Sequence, residues 1–287
     1  MKKGLIGVQM MMLKEKVEEL GVYEVMHRLS EMGYHCVEMS QIPMTAENVA
    51  EMKRAGEDFG IKYAALSAAL EPMMPGMPGE FLCNEADFEK IVSDCKTLDC
   101  NFLRIGMLPI PCMGSREKAL EFTRKCDEAA EKLKAHGIDL YYHNHHVEFR
   151  KYDGQYLLDL IKENTTHIGF ELDVHWIHRG GEDPIRIIRQ YAGRVKLLHL
   201  KDYRIGALDL ESIAKDRSKF MQAFSNVVEF AEVGEGNLPM KEIIEAGLES
   251  GSEYFLIEQD AQYGRDPFEC LQISHDNLCK MGFTDWF

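Results

Sequence analysis

The chain alternates short apolar runs with longer stretches in which apolar residues recur every three or four positions. The short runs lack the polar alternation of half-exposed strands, so they predict buried parallel strands. The longer stretches have the periodicity of amphipathic helices. Predicted strands cover 5–11, 36–40, 63–68, 102–106, 139–143, 168–173, 195–200 and 255–258, and predicted helices cover 22–32, 46–59, 84–98, 115–136, 156–163, 185–191, 240–248 and 267–280.

This alternation of strands and helices predicts a (β/α)₈ TIM barrel. The length of 287 residues is close to the ~250 residues typical of that fold, so we expect one domain over 1–287. A doubly wound sheet is the alternative, but no G-x-G-x-x-G motif follows the first strand. Thr45 is the predicted N-cap of the second helix, and Gly60 ends it.

Two irregular segments interrupt the pattern. Proline and glycine are frequent in 72–79, which predicts a loop on the catalytic face of the barrel. A longer insert covers 202–229 and includes a predicted short helix near 218–224. We expect the loop over 72–81 and the insert over 202–229, together with Trp286 and Phe287, to determine substrate specificity.

Composition narrows the range of functions. The formal net charge of −15 argues against non-specific nucleic-acid binding and against anionic membranes. The absence of long apolar runs argues against a transmembrane helix, and the N-terminus resembles a strand more than a signal peptide. The eight cysteines form no C-x-x-C pair, which is typical of reduced thiols in a cytoplasmic enzyme.

The candidate chemistry lies at the ends of the predicted strands, because a TIM barrel carries its catalytic groups there. Four successive strands, the fifth to the eighth, end in or near metal-binding side chains. The polar strand-end residues are Glu38, Ser40, Arg104, His143, Asn144, His145, His146, Glu148, Glu171, Asp173, His175, His199, Lys201, Asp202, Glu258, Gln259 and Asp260. Mixed imidazole and carboxylate ligands without cysteine suit Zn²⁺, Mn²⁺, Co²⁺ or Fe²⁺. Because buried charges are costly unless they are paired or bound to metal, a cation is the simplest partner for this group.

The order of these motifs resembles the xylose-isomerase-like TIM barrels, the group of sugar phosphate isomerases and epimerases. The motifs that carry the resemblance are Tyr142-His143-Asn144-His145, Glu148-Phe149, Leu172-Asp173-Val174-His175-Trp176, Gly180, Asp183-Pro184, Gly193-Arg194-Val195, His199-Leu200-Lys201-Asp202, Gly234-Glu235-Gly236 and Ile257-Glu258. The resemblance covers essentially the whole chain.

The resemblance implies one divalent metal ion, first of all Mn²⁺, with Zn²⁺, Co²⁺ or Mg²⁺ as alternatives. Its implied ligands include Asp173, His199 and Glu258. The fourth ligand comes from strand five, where ketose epimerases have a glutamate and this chain has His143. Either His143 binds the metal or Glu148 folds back to it, and we favour Glu148.

The implied activity is that of a metal-dependent isomerase or epimerase of a keto-sugar or sugar phosphate, working through an enolate that the metal stabilises. The predicted catalytic residues are Glu258, His145 and His143. The predicted substrate-binding residues are Lys201, His175, Trp176 and Glu235, although the Gly-Glu-Gly run around Glu235 is also typical of a turn.

Three other functions are open. An imidazole base on the same metal site favours elimination, as in a dehydratase or lyase of keto-inositol or of a 3-keto-glycoside. A DNA-repair endonuclease of the endonuclease IV type would need a basic surface, which the net charge of −15 argues against. A sugar-binding protein without activity would not need Asp173, His199 and Glu258 together. The expected partner is a small carbohydrate, with no nucleic acid and no membrane, and a homo-oligomer is allowed.

Overall fold

The computed structural model describes residues 3–208, 210–216, 218, 220–225 and 227–287. Within these residues a closed barrel of eight parallel strands confirms the predicted (β/α)₈ TIM barrel. The barrel strands are β1 (Leu5–Gln9), β2 (Cys36–Met39), β3 (Lys62–Ala68), β4 (Phe102–Ile105), β5 (Asp139–His143), β6 (Gly169–Asp173), β7 (Val195–Leu200) and β8 (Tyr254–Ile257). Each strand pairs with the next, and β8 closes the ring against β1, with Ile6 opposite Phe255.

Helices surround the barrel. In the described part of the chain they are α1 (Lys14–Leu20), α2 (Val22–Glu31), α3 (Ala46–Phe59), α4 (Glu85–Thr97), α5 (Arg116–Lys134), α6 (Leu157–Glu163), α7 (Val174–Arg179), α8 (Pro184–Gln190), α9 (Leu210–Lys215), α10 (Phe220–Ser225), α11 (Met240–Ser250) and α12 (Pro267–Leu278). The predicted cap of α3 is confirmed, because Thr45 Oγ1 accepts the Asn48 N–H at 3.1 Å. Gly60 ends α3 in the left-handed conformation, with φ +68°.

The barrel interior changes from apolar to charged along each strand. Since side chains of one strand alternate between faces, residues two apart share a face. Tyr141 lies below His143 in this way, and Leu197 lies below His199. Tyr141 and Leu197 belong to a small apolar cluster that also contains Cys36, Ala64, Ala65, Tyr254 and Leu256. Two residues further along, β2, β5 and β7 carry Glu38, His143 and His199, and this level forms the floor of the site.

The structure adds elements that the sequence pattern does not predict. The first strand ends at Gln9 instead of residue 11, and a 3₁₀ turn (Met10–Leu13) leads into α1. The insert forms an antiparallel hairpin of Asp202–Ile205 with Val228–Ala231, and α9 and α10 lie between its arms. The helix expected near 218–224 overlaps α10, while position 219 lies outside the described residues. No described helix has both the length and the apolar character that a membrane span requires.

Candidate metal centre and active site

Side chains from the ends of four consecutive strands meet at the mouth of the barrel. Strand pairing places His143 opposite Glu171, and Asp173 opposite His199. Glu258 follows β8 directly. The ring nitrogen Nδ1 of His199 lies 2.8 Å from Glu258 Oε2 and 3.1 Å from His143 Nε2. Asp173 Oδ2 lies 3.7 Å from His143 Nε2 and 3.9 Å from His199 Nδ1. Four donor atoms thus converge within 4.8 Å of one another.

The outer contacts of the two imidazoles orient their lone pairs towards this point. His143 Nδ1 lies 3.2 Å from the carbonyl oxygen of Gly106, so Nδ1 carries the proton and Nε2 faces the centre as an acceptor. His199 Nε2 lies 3.2 Å from Glu38 Oε2 and 3.3 Å from Glu171 Oε1, so this nitrogen donates. His199 Nδ1 is then the atom directed at the centre. Metal-binding histidines have this arrangement, with the second nitrogen donating to a carbonyl or carboxylate.

A proton and a cation compete for His199 Nδ1. Burial lowers the pKa of His199, but the negative charges of Glu171, Glu38 and Glu258 outweigh it and raise the pKa well above its usual value. Burial lowers the pKa of His143, so this ring is neutral. A protonated Nδ1 donates to Glu258 Oε2, and a cation would replace that proton.

The site has more acids than bases. Its carboxyl groups are Glu38, Glu171, Asp173, Glu258 and Asp260, and its permanent cations are Arg104 and Lys201. Burial raises the pKa of Glu171 to about 8 and that of Asp260 to about 6, and it raises the pKa of Asp173. Excess negative charge at a buried site favours a bound cation.

The donor set fits a divalent metal ion. Asp173 Oδ2 is buried and has no hydrogen-bond partner, although it lies among the other three donors. Two imidazoles and two carboxylates suit Mn²⁺, Co²⁺, Zn²⁺ or Fe²⁺. The absence of a thiolate distinguishes the group from a typical structural zinc site. His143, Asp173, His199 and Glu258 are therefore the residues that would hold the ion.

Glu148, which the sequence analysis favours as the strand-five ligand, does not belong to this group. Its Oε1 accepts the hydroxyl of Tyr142 at 2.8 Å, and its Oε2 accepts the backbone N–H of His145 at 2.8 Å. Both oxygens are thus used by residues that precede the short 3₁₀ turn (His146–Phe149) in which Glu148 lies. Burial raises the pKa of Glu148 to about 7. The structure brings His143, and not Glu148, into the group of four donor residues.

Lys201 is a buried cation beside the centre. Its ammonium lies 2.7 Å from Asp260 Oδ1, 3.1 Å from Glu258 Oε2 and 3.6 Å from Asp173 Oδ2. Burial lowers the pKa of Lys201, but these carboxylates outweigh it and raise the pKa above its usual value. The ammonium also lies 4.9 Å from the ring centroid of Trp176. Lys201 is therefore a fixed positive charge on the wall of the cleft.

The other predicted histidines are neutral and have unused ring nitrogens. His145 Nδ1 and both ring nitrogens of His175 are buried without a hydrogen-bond partner, as is the indole N–H of Trp176. Burial lowers the pKa of His145 to about 3 and that of His175 to about 4. His145 lines the cleft. His175 packs against the hairpin, with its ring 5.0 Å from that of Phe230.

Glu235 lies apart from the centre. It is exposed, and its carboxylate accepts an N–H of Asn277 at 2.9 Å. The Gly-Glu-Gly run around it is a turn held by Asp202, whose Oδ2 accepts the N–H of Gly234 and of Gly236. A Cβ at Gly236 would lie 2.1 Å from Asp202 Oδ1, so the close approach of the two segments requires glycine. The turn interpretation is the one that this geometry supports.

The site also contains Gln9, which is not among the residues predicted from the sequence. Its side-chain N–H donates to Glu258 Oε1 at 2.9 Å. A polar residue at the end of the first strand is the signal that points to it. Above these residues a cleft of about 1670 Å³ opens to the surface, with Gln9, Arg104, His143, Lys201, Glu258 and Asp260 on its floor.

Comparisons with known proteins agree with this architecture. The sequence profile described as xylose isomerase-like TIM barrel matches residues 26–272. An inosose dehydratase from Clostridium perfringens is 29% identical over 130 residues, which cover 44% of this chain and 42% of the relative. The match therefore spans less than half the length of that curated relative.

Two solved structures share the fold over nearly the full chain. A sugar phosphate isomerase/epimerase from Parabacteroides distasonis has a TM-score of 0.72 and 21% identity, and the match covers 98% of this chain and 99% of that one. A probable 3-DHS dehydratase from Bacillus anthracis has a TM-score of 0.70 and 14% identity, with 96% and 98% covered. At these identities the likeness concerns the fold alone.

Proposed function

The chain belongs to the xylose isomerase-like TIM barrel family, and we propose that it removes the proton next to the carbonyl of a polyhydroxylated ketone with the help of a divalent metal ion. We propose further that the reaction ends in loss of water, which makes the protein a dehydratase of the keto-inositol class. The observation that carries the proposal is the convergence of four donor atoms from His143, Asp173, His199 and Glu258 beside the buried ammonium of Lys201.

The metal, when bound, would act as a Lewis acid that polarises the carbonyl oxygen and so acidifies the neighbouring C–H group. Mn²⁺ is the first candidate. His143, Asp173, His199 and Glu258 would hold it. Their burial keeps water away and strengthens the electrostatic interactions inside the cleft.

His145 is the proposed base. Its ring is uncharged, lines the cleft and lies 4.8 Å, centroid to centroid, from the ring of His143. By contrast, Glu258 accepts hydrogen bonds at both oxygens, from Gln9 and Lys201. The lone pair of His145 takes the proton from carbon, the C–H electrons form the new double bond, and the C–O bond breaks. His145 then returns the proton to the departing hydroxyl, which leaves as water.

Lys201 is the proposed partner of the substrate oxygens. Its ammonium remains protonated and is held by Asp260 and Glu258, so it stabilises negative charge as it develops on oxygen. Trp176 and His175 do not contact the sugar in this proposal. They pack behind the Lys201 ammonium and help to hold it in place. The indole ring under the ammonium fixes its direction.

Elimination is favoured over epimerisation for two reasons. One acid–base group is sufficient for elimination, whereas an epimerase must return a proton on the opposite face. In addition, curated relatives are named inosose dehydratase, and strand five ends in His143, where the resemblance implies a glutamate for ketose epimerases. An isomerase or epimerase of a keto-sugar is the second candidate, because Glu258 and His145 both face the cleft.

Proton NMR in D₂O tests the proposal. The metal-free protein is incubated with keto-inositol, with and without Mn²⁺, and a ketohexose is offered in parallel. We expect metal-dependent loss of the proton next to the carbonyl of keto-inositol and appearance of an unsaturated or dicarbonyl product. Exchange into a ketohexose without loss of water would favour the second candidate. No exchange in either substrate would contradict both.

A further inference from the structure

Three ionisable side chains form a layer inside the barrel beneath the candidate metal centre. They are Glu38 on β2, Arg104 on β4 and Glu171 on β6. The Arg104 Nε lies 2.9 Å from Glu38 Oε1 and 3.4 Å from Glu171 Oε2. A second guanidinium nitrogen donates to the hydroxyl of Ser40 at 2.8 Å. The two carboxyl groups are fully buried, and Arg104 is 5% exposed.

Burying this charged layer lowers the stability of the fold. The side chains come from alternate strands, the positions that form one layer of a TIM barrel and that are normally filled with branched apolar residues. Removing charged groups from water costs several kcal/mol per ion, and replacing a buried ion pair with well-packed apolar residues is often neutral or stabilising. Folding stability therefore does not explain why these residues are present.

The contacts of the layer with His199 supply the explanation. The Nε2 atom of His199 lies 3.2 Å from Glu38 Oε2 and 3.3 Å from Glu171 Oε1. Glu38 Oε2 accepts the Nε2 proton, and Glu171 Oε1 lies next to it without forming a hydrogen bond. The contact with Glu38 fixes the plane of the ring and keeps the proton on Nε2, so that Nδ1 faces the other donors. Arg104 donates to Glu38 and lies 3.4 Å from Glu171, so a single positive charge anchors the two carboxyl groups.

We propose that Glu38, Arg104 and Glu171 are positioning residues for His199, and that they set the affinity of the centre for its divalent cation. The inference rests on the proposed function, because it requires a cation at the centre. It adds that the affinity of the site for metal is set from below, by residues that are not among the four proposed ligands.

Calorimetric titration of the metal-free protein with Mn²⁺ tests this, with Co²⁺ absorption spectra as a second readout. We expect Glu38→Gln to weaken Mn²⁺ binding about 10- to 100-fold, the range for residues that orient a metal ligand. We expect the triple variant Glu38→Leu/Arg104→Met/Glu171→Leu to lose binding at least as strongly. The unfolding temperature of its metal-free form should equal or exceed that of the wild type.

The matched control is Glu232→Gln, which changes another buried carboxylate with an arginine partner, Arg265. This variant should bind Mn²⁺ like the wild type. The inference is overturned if Glu38→Gln and the triple variant bind within threefold of the wild type while the wild type binds well. If the triple variant fails to fold, Glu171→Gln takes its place, with the same expected loss and the same threefold limit. A wild type that binds no cation would instead refute the proposed function.

Discussion

The proposed metal ligand from strand five, His143, can be tested directly against the alternative, Glu148. His143→Gln removes an imidazole whose Nε2 lies 3.1 Å from His199 Nδ1. Changes in residues that only orient a metal ligand cost 10- to 100-fold in affinity. Removal of a ligand itself should therefore cost at least about 100-fold, or ~2.7 kcal/mol. Glu148→Gln should leave metal affinity within a fewfold of the wild type, because Glu148 bonds only to Tyr142 and His145.

Thermal unfolding separates the two variants. At a free Mn²⁺ concentration 100 times its dissociation constant, the wild type gains ~2.7 kcal/mol, which corresponds to a rise of roughly 5–10 °C. At that same concentration a variant with 100-fold weaker binding gains only ~0.4 kcal/mol, or roughly 1 °C. We expect this small rise for His143→Gln and the full rise for Glu148→Gln. The reverse pattern would refute the assignment of His143 and restore Glu148 as the ligand.

Three further predictions concern Lys201, the Gly-Glu-Gly turn and acid stability. Lys201→Met should lower kcat about 100- to 1000-fold, as loss of an oxyanion partner does. Its Mn²⁺ affinity, measured by calorimetry, should be unchanged or higher because a competing cation is gone. An unchanged kcat would contradict the role of Lys201. Gly236→Ala should cost about 1–3 kcal/mol of stability in denaturant titrations, because its Cβ would overlap Asp202. An unfolding midpoint equal to that of the wild type would argue against this clash. Burial raises the pKa of Asp127, but hydrogen bonds that include the N–H of His167 outweigh it and lower the pKa. Asp127→Asn should therefore lower the unfolding temperature above about pH 4 and converge with the wild type as the pH falls further, and a difference that persists at low pH would argue against this linkage.

The fold could be predicted from the sequence because its pattern is local. Each strand is a short apolar run, and each helix has a regular period. The strand ends then indicate which polar residues meet, since all parallel strands present the same end to the site. On this basis the structure brings together Asp173, His199 and Glu258, as the resemblance implies.

The remaining features depend on contacts that no local pattern encodes. Glu148 and His143 are five positions apart, and only the hydrogen bonds of the turn decide which one reaches the centre. Glu235 belongs to one of the motifs that carry the resemblance, but its carboxylate bonds to Asn277 of α12. The layer of Glu38 and Arg104 depends on the barrel register, which places alternate strands at one level. The sequence shows polar strand ends, and only the register shows that these residues lie beneath His199.

Anomalous X-ray diffraction from crystals grown with Mn²⁺ and keto-inositol tests the central claim most directly. We predict one strong manganese peak bounded by His143 Nε2, Asp173, His199 Nδ1 and Glu258, with the carbonyl end of the ligand next to it and Lys201 on a ligand oxygen. A peak held by Glu148, or keto-inositol bound with no manganese among these four side chains, would contradict the account.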